Sequence, residues 1–137
     1  MLKKISTEKA PAAIGPYSQA VVAGDFLFAS GQIPINPANG EIEASDIVGQ
    51  AEQVMKNIGA LLAKKHPADA DLVLGVPFSG LCSAIGYSHE SGIPFEYALM
   101  KNSYIGRDVP ELEALTVDLK MNAIEKTIEG KRVVLVD

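Results

Sequence analysis

At 137 residues, with 47% hydrophobic and 21% charged side chains, the chain has the length of one domain and the composition of a folded core. That balance excludes a disordered polypeptide and leaves no room for a second catalytic domain, so residues 1–137 are expected to form a single domain. A formal net charge of −5, with no basic run longer than Lys64-Lys65, opposes nucleic acid and anionic membranes as partners.

Taken in chain order, Gln19-Ala20-Val21-Val22 and Phe26-Leu27-Phe28-Ala29 flank the turn signal Ala23-Gly24-Asp25 and predict a hairpin. Pro34, Pro37 and Asn39-Gly40 then break the pattern into a loop. Beyond Ser45 or Asp46, either able to cap, Ile47, Ala51, Val54, Met55, Ile58, Leu61 and Leu62 recur at helical spacing, and His66-Pro67 ends the helix. Leu72-Val73-Leu74-Gly75-Val76 reads as a buried strand and Ser79 to Ser88 as a helix interrupted by Gly80 and Gly86. Phe95 to Met100 predicts another strand. Between Thr116 and Ala123 apolar and polar residues alternate as in a half-buried strand, although Leu112, Leu115 and Leu119 also fit a helical stripe. Glu129-Gly130-Lys131 turns the chain into a last strand, Val133 to Val136. The order predicts an α+β fold: a mixed β-sheet with the helices packed mainly on one face.

The apolar runs all fall far short of the ~20 residues of a bilayer span, and the N-terminus lacks the apolar core of a signal peptide, so a cytoplasmic protein is expected. Lone Cys82 cannot pair internally and reads as a small buried hydrophobe. His66 and His89 read as exposed helix-end residues, and without cysteine partners they make no metal site.

Two sets of words carry family resemblances. Ala10-Pro11-Ala12-Ala13-Ile14-Gly15-Pro16-Tyr17-Ser18-Gln19-Ala20, Ser30-Gly31-Gln32-Ile33-Pro34 and Pro37-Ala38-Asn39-Gly40 resemble the start of the RidA/YjgF reactive-intermediate deaminase family, over residues 1 to about 60. The resemblance implies a chorismate mutase-like fold, a homotrimer with clefts between subunits, and cofactor-independent hydrolysis of enamine and imine intermediates such as 2-aminoacrylate to ketoacid and ammonia. It implies that Tyr17 lines the cleft and that Ser30 and Gly31 contact substrate. The family's late Pro-Ala-Arg-Ser-type word and its following glutamate are absent; Arg107 lies at about the matching distance and is the candidate anchor for a substrate carboxylate, while Lys120 and Asn122 stand where the glutamate is expected. Apart from the resemblance, Tyr17 also reads as an aromatic holding a loop on the hairpin, and Arg107 as a surface arginine.

The second set is Ala70-Asp71-Leu72-Val73, Gly75-Val76-Pro77, Glu90-Ser91-Gly92-Ile93-Pro94-Phe95, Tyr104-Ile105-Gly106-Arg107 and Ile128 through Asp137. From about residue 59 onward these resemble the phosphoribosyl-transfer domain of glutamine amidophosphoribosyltransferase. The chain thus reads as a chimera with its junction near 58–62, natural or engineered. In the second family the last strand leads into two acidic residues and a phosphate-cradling loop; here Asp137 is the final residue, and Phe78 stands where an acidic residue usually follows Val-Pro. No binding of phosphoribosyl pyrophosphate is therefore expected. The first expectation is an enamine/imine deaminase acting on a small molecule, the second a non-catalytic oligomeric scaffold, and the third a phosphoribosyltransferase-like fragment.

Overall fold

The computed structural model describes residues 2–101 and 121–137. Gly24 takes φ +59°, a state glycine enters without steric cost, and with Asp25 it reverses the chain so that Ala20–Ala23 (β2) and Phe26–Ala29 (β3) pair antiparallel. A strand the sequence pattern does not disclose, Lys3–Ile5 (β1), adds antiparallel to the other edge of β2. Three residues are too few for a periodic signal. The inner face of this ladder, with Ile5, Ala20, Val22 and Leu27, packs on Leu61 of the long helix, while Phe26 and Phe28 stand on the outer face, 71% and 61% exposed.

That helix, α1 (Ile47–Lys65), is capped by Asp46, whose Oδ1 accepts from the N–H groups of Val48 and Gly49 at 2.9 and 3.0 Å. The same bonds, the one from Gly49 foremost, lower the Asp46 carboxyl below its ordinary range. The helix stops at His66, before Pro67, and Lys64 and Lys65 lie in its last turn, where positive charge complements the helix dipole.

Helix α2 (Leu81–Ser91) crosses α1 at two glycines. A Cβ on Gly59 would stand 1.9 Å from the Ser83 carbonyl oxygen, and one on Gly86 would stand 1.9 Å from that of Lys56. The backbones therefore touch where a side chain would hold them apart. The second helix starts later than the expected Ser79: Gly80 occupies its N-cap, and the Ser79 hydroxyl donates to the Asp137 carboxylate instead of capping.

Strand β4 (Leu72–Gly75) is buried throughout and pairs in parallel with the last strand of the chain, Val133–Val136, so that strand is satisfied within its own subunit. A single parallel bridge from Val73 to Phe95 marks the opposite edge. One face of this pair, Val73, Val134 and Val136, packs against Ala63, Ala84 and Tyr87 of the helices; the other, Leu72 and Leu74, covers Ala98. The expected strand from Phe95 to Met100 divides into that bridge and β5 (Leu99–Lys101), antiparallel to β6 (Met121–Ala123). The earlier part of the expected 116–123 strand lies outside the described residues. A short helix, α3 (Glu125–Ile128), not foreseen in the sequence, leads to the final strand, β7.

The α+β class and the mixture of parallel and antiparallel pairing are as expected. Among the described residues the strands fall into three ladders, β1-β2-β3, β4-β7 and β5-β6. The reason lies in α1: Leu61 faces the first ladder while Leu62 and Ala63 face the second, so the helix stands between them.

Candidate functional site

The segment 6–14 leaves β1 and arches over the C-terminal ends of α1 and α2, enclosing a cleft of about 1090 Å³. Gln19 holds this arch. Its buried amide accepts from the Thr7 N–H at 2.7 Å and donates to the carbonyls of Thr7, Ala10 and Pro11 at 3.0, 3.1 and 2.7 Å. A single side chain thereby satisfies backbone groups that the segment, lacking a strand partner beyond Ile5, would otherwise leave unpaired.

The floor of the cleft carries charge. Glu90, whose side chain is only 12% exposed, accepts a hydrogen bond from the Thr7 hydroxyl on Oε2 and faces Lys64 Nζ at 3.3 Å through Oε1. Thr7 Oγ1 in turn accepts from the Lys9 N–H at 3.0 Å. Glu8 and Lys9 also line the cleft, and apolar walls come from Pro11, Ile33 and Ile35. The loop bearing Ile33 and Ile35 is pinned to α1 by Asn57, a fully buried amide that donates to the Ile33 and Ile35 carbonyls at 3.0 and 3.2 Å and accepts from Gln53 at 2.9 Å. Sequence reasoning missed Lys64, Glu90, Thr7, Gln19 and Asn57 as a set, because they lie on four separate segments and no local spacing joins them.

Of the residues singled out in sequence, Tyr17 lines the cleft, half exposed, with its N–H donating to the Gly15 carbonyl at 2.8 Å. Ser30 and Gly31 do not line it. The Ser30 hydroxyl donates to the Ser18 carbonyl at 2.6 Å and its N–H to the Gln19 carbonyl at 3.0 Å, which ties the end of β3 to the strand beside it; the space around Gly31 is open. Arg107 lies outside the described residues. Cys82 is half-buried rather than fully buried, and burial, more than the charge of Glu52, pushes its thiol up, away from a nucleophilic thiolate. His66 and His89 are exposed. Among the described residues no group of histidine, cysteine and carboxylate side chains is placed to hold a metal ion. No helix among them is long and apolar enough to cross a membrane.

The chain also turns sharply at the carboxyl ends of the parallel strands. Residues 76–80 wrap so tightly there that a Cβ on Gly80 would stand 1.9 Å from the Val136 carbonyl oxygen. Phe78 takes φ +74°, a left-handed state unusual for an aromatic residue, and Lys101 Nζ stands 5.2 Å from the centre of its ring. On the opposite end of the same strands, Arg132 spans Asp69 and Asp71 at 2.5 and 3.0 Å. The Arg132 hydrogen bond holds the Asp71 carboxyl at about 2, below its usual 3.8.

These features define an α+β protein with a charged cleft arched over by its N-terminal segment. The family described as Endoribonuclease L-PSP (Ribonuc_L-PSP), the RidA/YjgF group, matches residues 7–78, and the chain belongs to it. It is 44% identical to the crystal structure of YyfA of the conserved Rid protein family from Yersinia pestis, covering 53% of this chain and 59% of that one with a TM-score of 0.47. The amidophosphoribosyltransferase of Rhizobium etli is 52% identical over 86 residues, 60% of this chain and 17% of that protein. The Bacillus subtilis glutamine phosphoribosylpyrophosphate amidotransferase structure, with ADP and GMP, shares 30% identity over 86% of this chain and 29% of that one, with a TM-score of 0.57. The chain thus spans less than a fifth of the length of the curated amidophosphoribosyltransferases from Rhizobium etli and Methanocaldococcus jannaschii. An 86-residue match cannot fit outside residues 7–78, so the two likenesses overlap and do not mark off a separate C-terminal domain.

Proposed function

We propose that the chain is a cofactor-independent enamine/imine deaminase, converting 2-aminoacrylate-like intermediates to 2-ketoacid and ammonia. The observation that carries this reading is the position of Tyr17: in the part of the chain that matches the family, it lines a cleft that also offers cations and carboxylates. The imine tautomer of the substrate carries a carboxylate, for which an arginine supplies a planar two-pronged anchor, and Arg107 is proposed in that role. Water adds to the imine carbon, forming a C–O bond while the C=N π pair moves to nitrogen. A carboxylate passes one water proton to that nitrogen, giving a carbinolamine, then carries the hydroxyl proton to the amine as well, and the C–N bond breaks as C=O forms, releasing ammonia.

Assembly as a homotrimer belongs to the same proposal. The outer face of β2 and β3, with Phe26 and Phe28 exposed and their rings 6.3 Å apart, favours burial against further copies. Ser30 and Gly31, at the end of β3, then reach substrate only across a subunit boundary. A cytoplasmic location and a single domain combining the words of two families, with the junction near 58–62, complete it.

The test is ammonia release from 2-aminoacrylate generated in situ. Wild-type protein exceeds buffer, and Arg107→Ala loses an anchor worth roughly 1.5–3 kcal/mol, about tenfold to a hundredfold in apparent affinity. Rates no faster than buffer leave the scaffold reading. A second reading, a phosphoribosyl-binding fragment, is favoured by the 0.57 TM-score to the Bacillus enzyme and by the tight 76–80 turn at the carboxyl ends of β4 and β7. Saturable binding of phosphoribosyl pyrophosphate with Mg²⁺ by calorimetry would place that reading first.

A further inference from the structure

We propose that Lys64 and Glu90, braced by Thr7, form a receptor for the zwitterionic head of a small 2-amino or 2-imino acid, with the ligand carboxylate on Lys64 and its cationic nitrogen on Glu90. The inference rests on the deaminase reading of the same cleft and deepens it, because it adds a head-group contact from each of the two helices to the carboxylate anchor proposed for Arg107.

The residual hydrogen-bonding capacity of the pair carries the argument. A carboxylate offers about four acceptor sites, and Glu90 uses one on the Thr7 hydroxyl and one on Lys64. An ammonium group has three donors, of which Lys64 directs one at Glu90. Both groups line the cleft, so their remaining capacity is available to whatever fills it. The two charges stand 3.3 Å apart. A 2-amino or 2-imino acid carries its carboxylate and its nitrogen on one carbon, and can lie head to tail against such a pair, each end meeting the opposite charge. A monoanion satisfies only Lys64 and leaves the spare sites of Glu90 unanswered.

The pair is also held in place. The Gly59–Gly86 crossing fixes α1 against α2, and the Thr7 hydroxyl, itself bonded by the Lys9 N–H, sets the plane of the Glu90 carboxylate. A surface ion pair between two long, free side chains would lack that order. Glu90 is mostly buried and braced on one side, so binding a ligand on the other requires little further ordering.

L-Alanine serves as the unreactive zwitterion and pyruvate as the monoanion, with dissociation constants from ligand-detected NMR on the intact chain. Glu90→Gln, which keeps the size of the side chain and an oxygen for Thr7, should weaken L-alanine at least tenfold and leave pyruvate within about twofold. Lys64→Met should weaken both at least tenfold. In ¹⁵N-labelled wild-type protein, L-alanine should shift the amides of Thr7, Lys64 and Glu90, a readout that needs no variant. L-Alanine affinity unchanged in both variants, or no shift at those three amides, overturns the inference. Ammonia release separates it from the reading it rests on: the selective binding pattern without ammonia release removes the deaminase and keeps the receptor, whereas release with unaltered kcat/KM in both variants keeps the deaminase and overturns the receptor.

Discussion

Gly59→Ala tests the crossing that brings the charged pair together. The new methyl group would sit 1.9 Å from the Ser83 carbonyl oxygen, about 1.5 Å inside the 3.4 Å at which ordinary contact begins. The obstacle is helix backbone and cannot swing away, so α1 and α2 must separate and loosen the packing of Ala63, Ala84 and Tyr87. Overpacking of this kind costs about 3 kcal/mol, at the upper end of the common range. Alanine returns about 1 kcal/mol of helix propensity over glycine, which leaves a net loss of about 2 kcal/mol. For a domain of this size that lowers the melting midpoint by roughly 8 °C. Thermal unfolding followed by circular dichroism reads it directly, with Gly31→Ala as the control, since the space around Gly31 is open. Gly86→Ala should cost a similar amount, and the double variant less than the sum, because either methyl opens the same crossing. A midpoint for Gly59→Ala equal to or above wild type would refute the close approach of the helices.

Three further outcomes are expected. Gln19→Glu replaces the donors facing the Thr7, Ala10 and Pro11 carbonyls with a buried carboxylate and should destabilise by about 3 kcal/mol or more by urea titration, with faster proteolysis of the 6–14 segment; an unchanged midpoint would mean that the arch is held by something else. Asp71 has a folded value of about 2, depressed by Arg132 from 3.8, so its contribution to stability is fully present above about pH 4 and is lost as the pH falls toward 2. The melting midpoint of Asp71→Asn should therefore fall less steeply than wild type across that window, and parallel curves would contradict the ion pair. If the chain assembles as the proposed homotrimer, light scattering at micromolar concentration gives three chain masses, and Phe28→Glu on the exposed face of β3 dissociates it to monomer.

The elements with strong periodicity were legible in the sequence. The hairpin around Gly24, the helix between Asp46 and His66, the buried strand from Leu72 and the last strand from Val133 all lie within a residue or two of their expected bounds. What was not legible depends on long-range geometry. β1 and α3 are too short to carry a period, and the division into three ladders follows from which side of α1 each apolar residue faces. Ser79 was expected as the first residue of the second helix, but the closeness of Asp137 gives its hydroxyl an acceptor outside that helix. The cleft was visible only through Tyr17. The polar groups that organise it are a threonine after β1, a glutamine before β2 and one charged residue on each of two helices, and each alone reads as an ordinary surface or core residue.

The most direct test of the central claim is multiple-turnover hydrolysis. With 2-aminoacrylate supplied continuously and protein far below substrate, ketoacid and ammonia should appear in equal amounts, at a rate above buffer that rises in proportion to protein concentration and falls at least tenfold in Glu90→Gln. Product formation that matches buffer at every protein concentration would contradict an enzymatic role for the cleft.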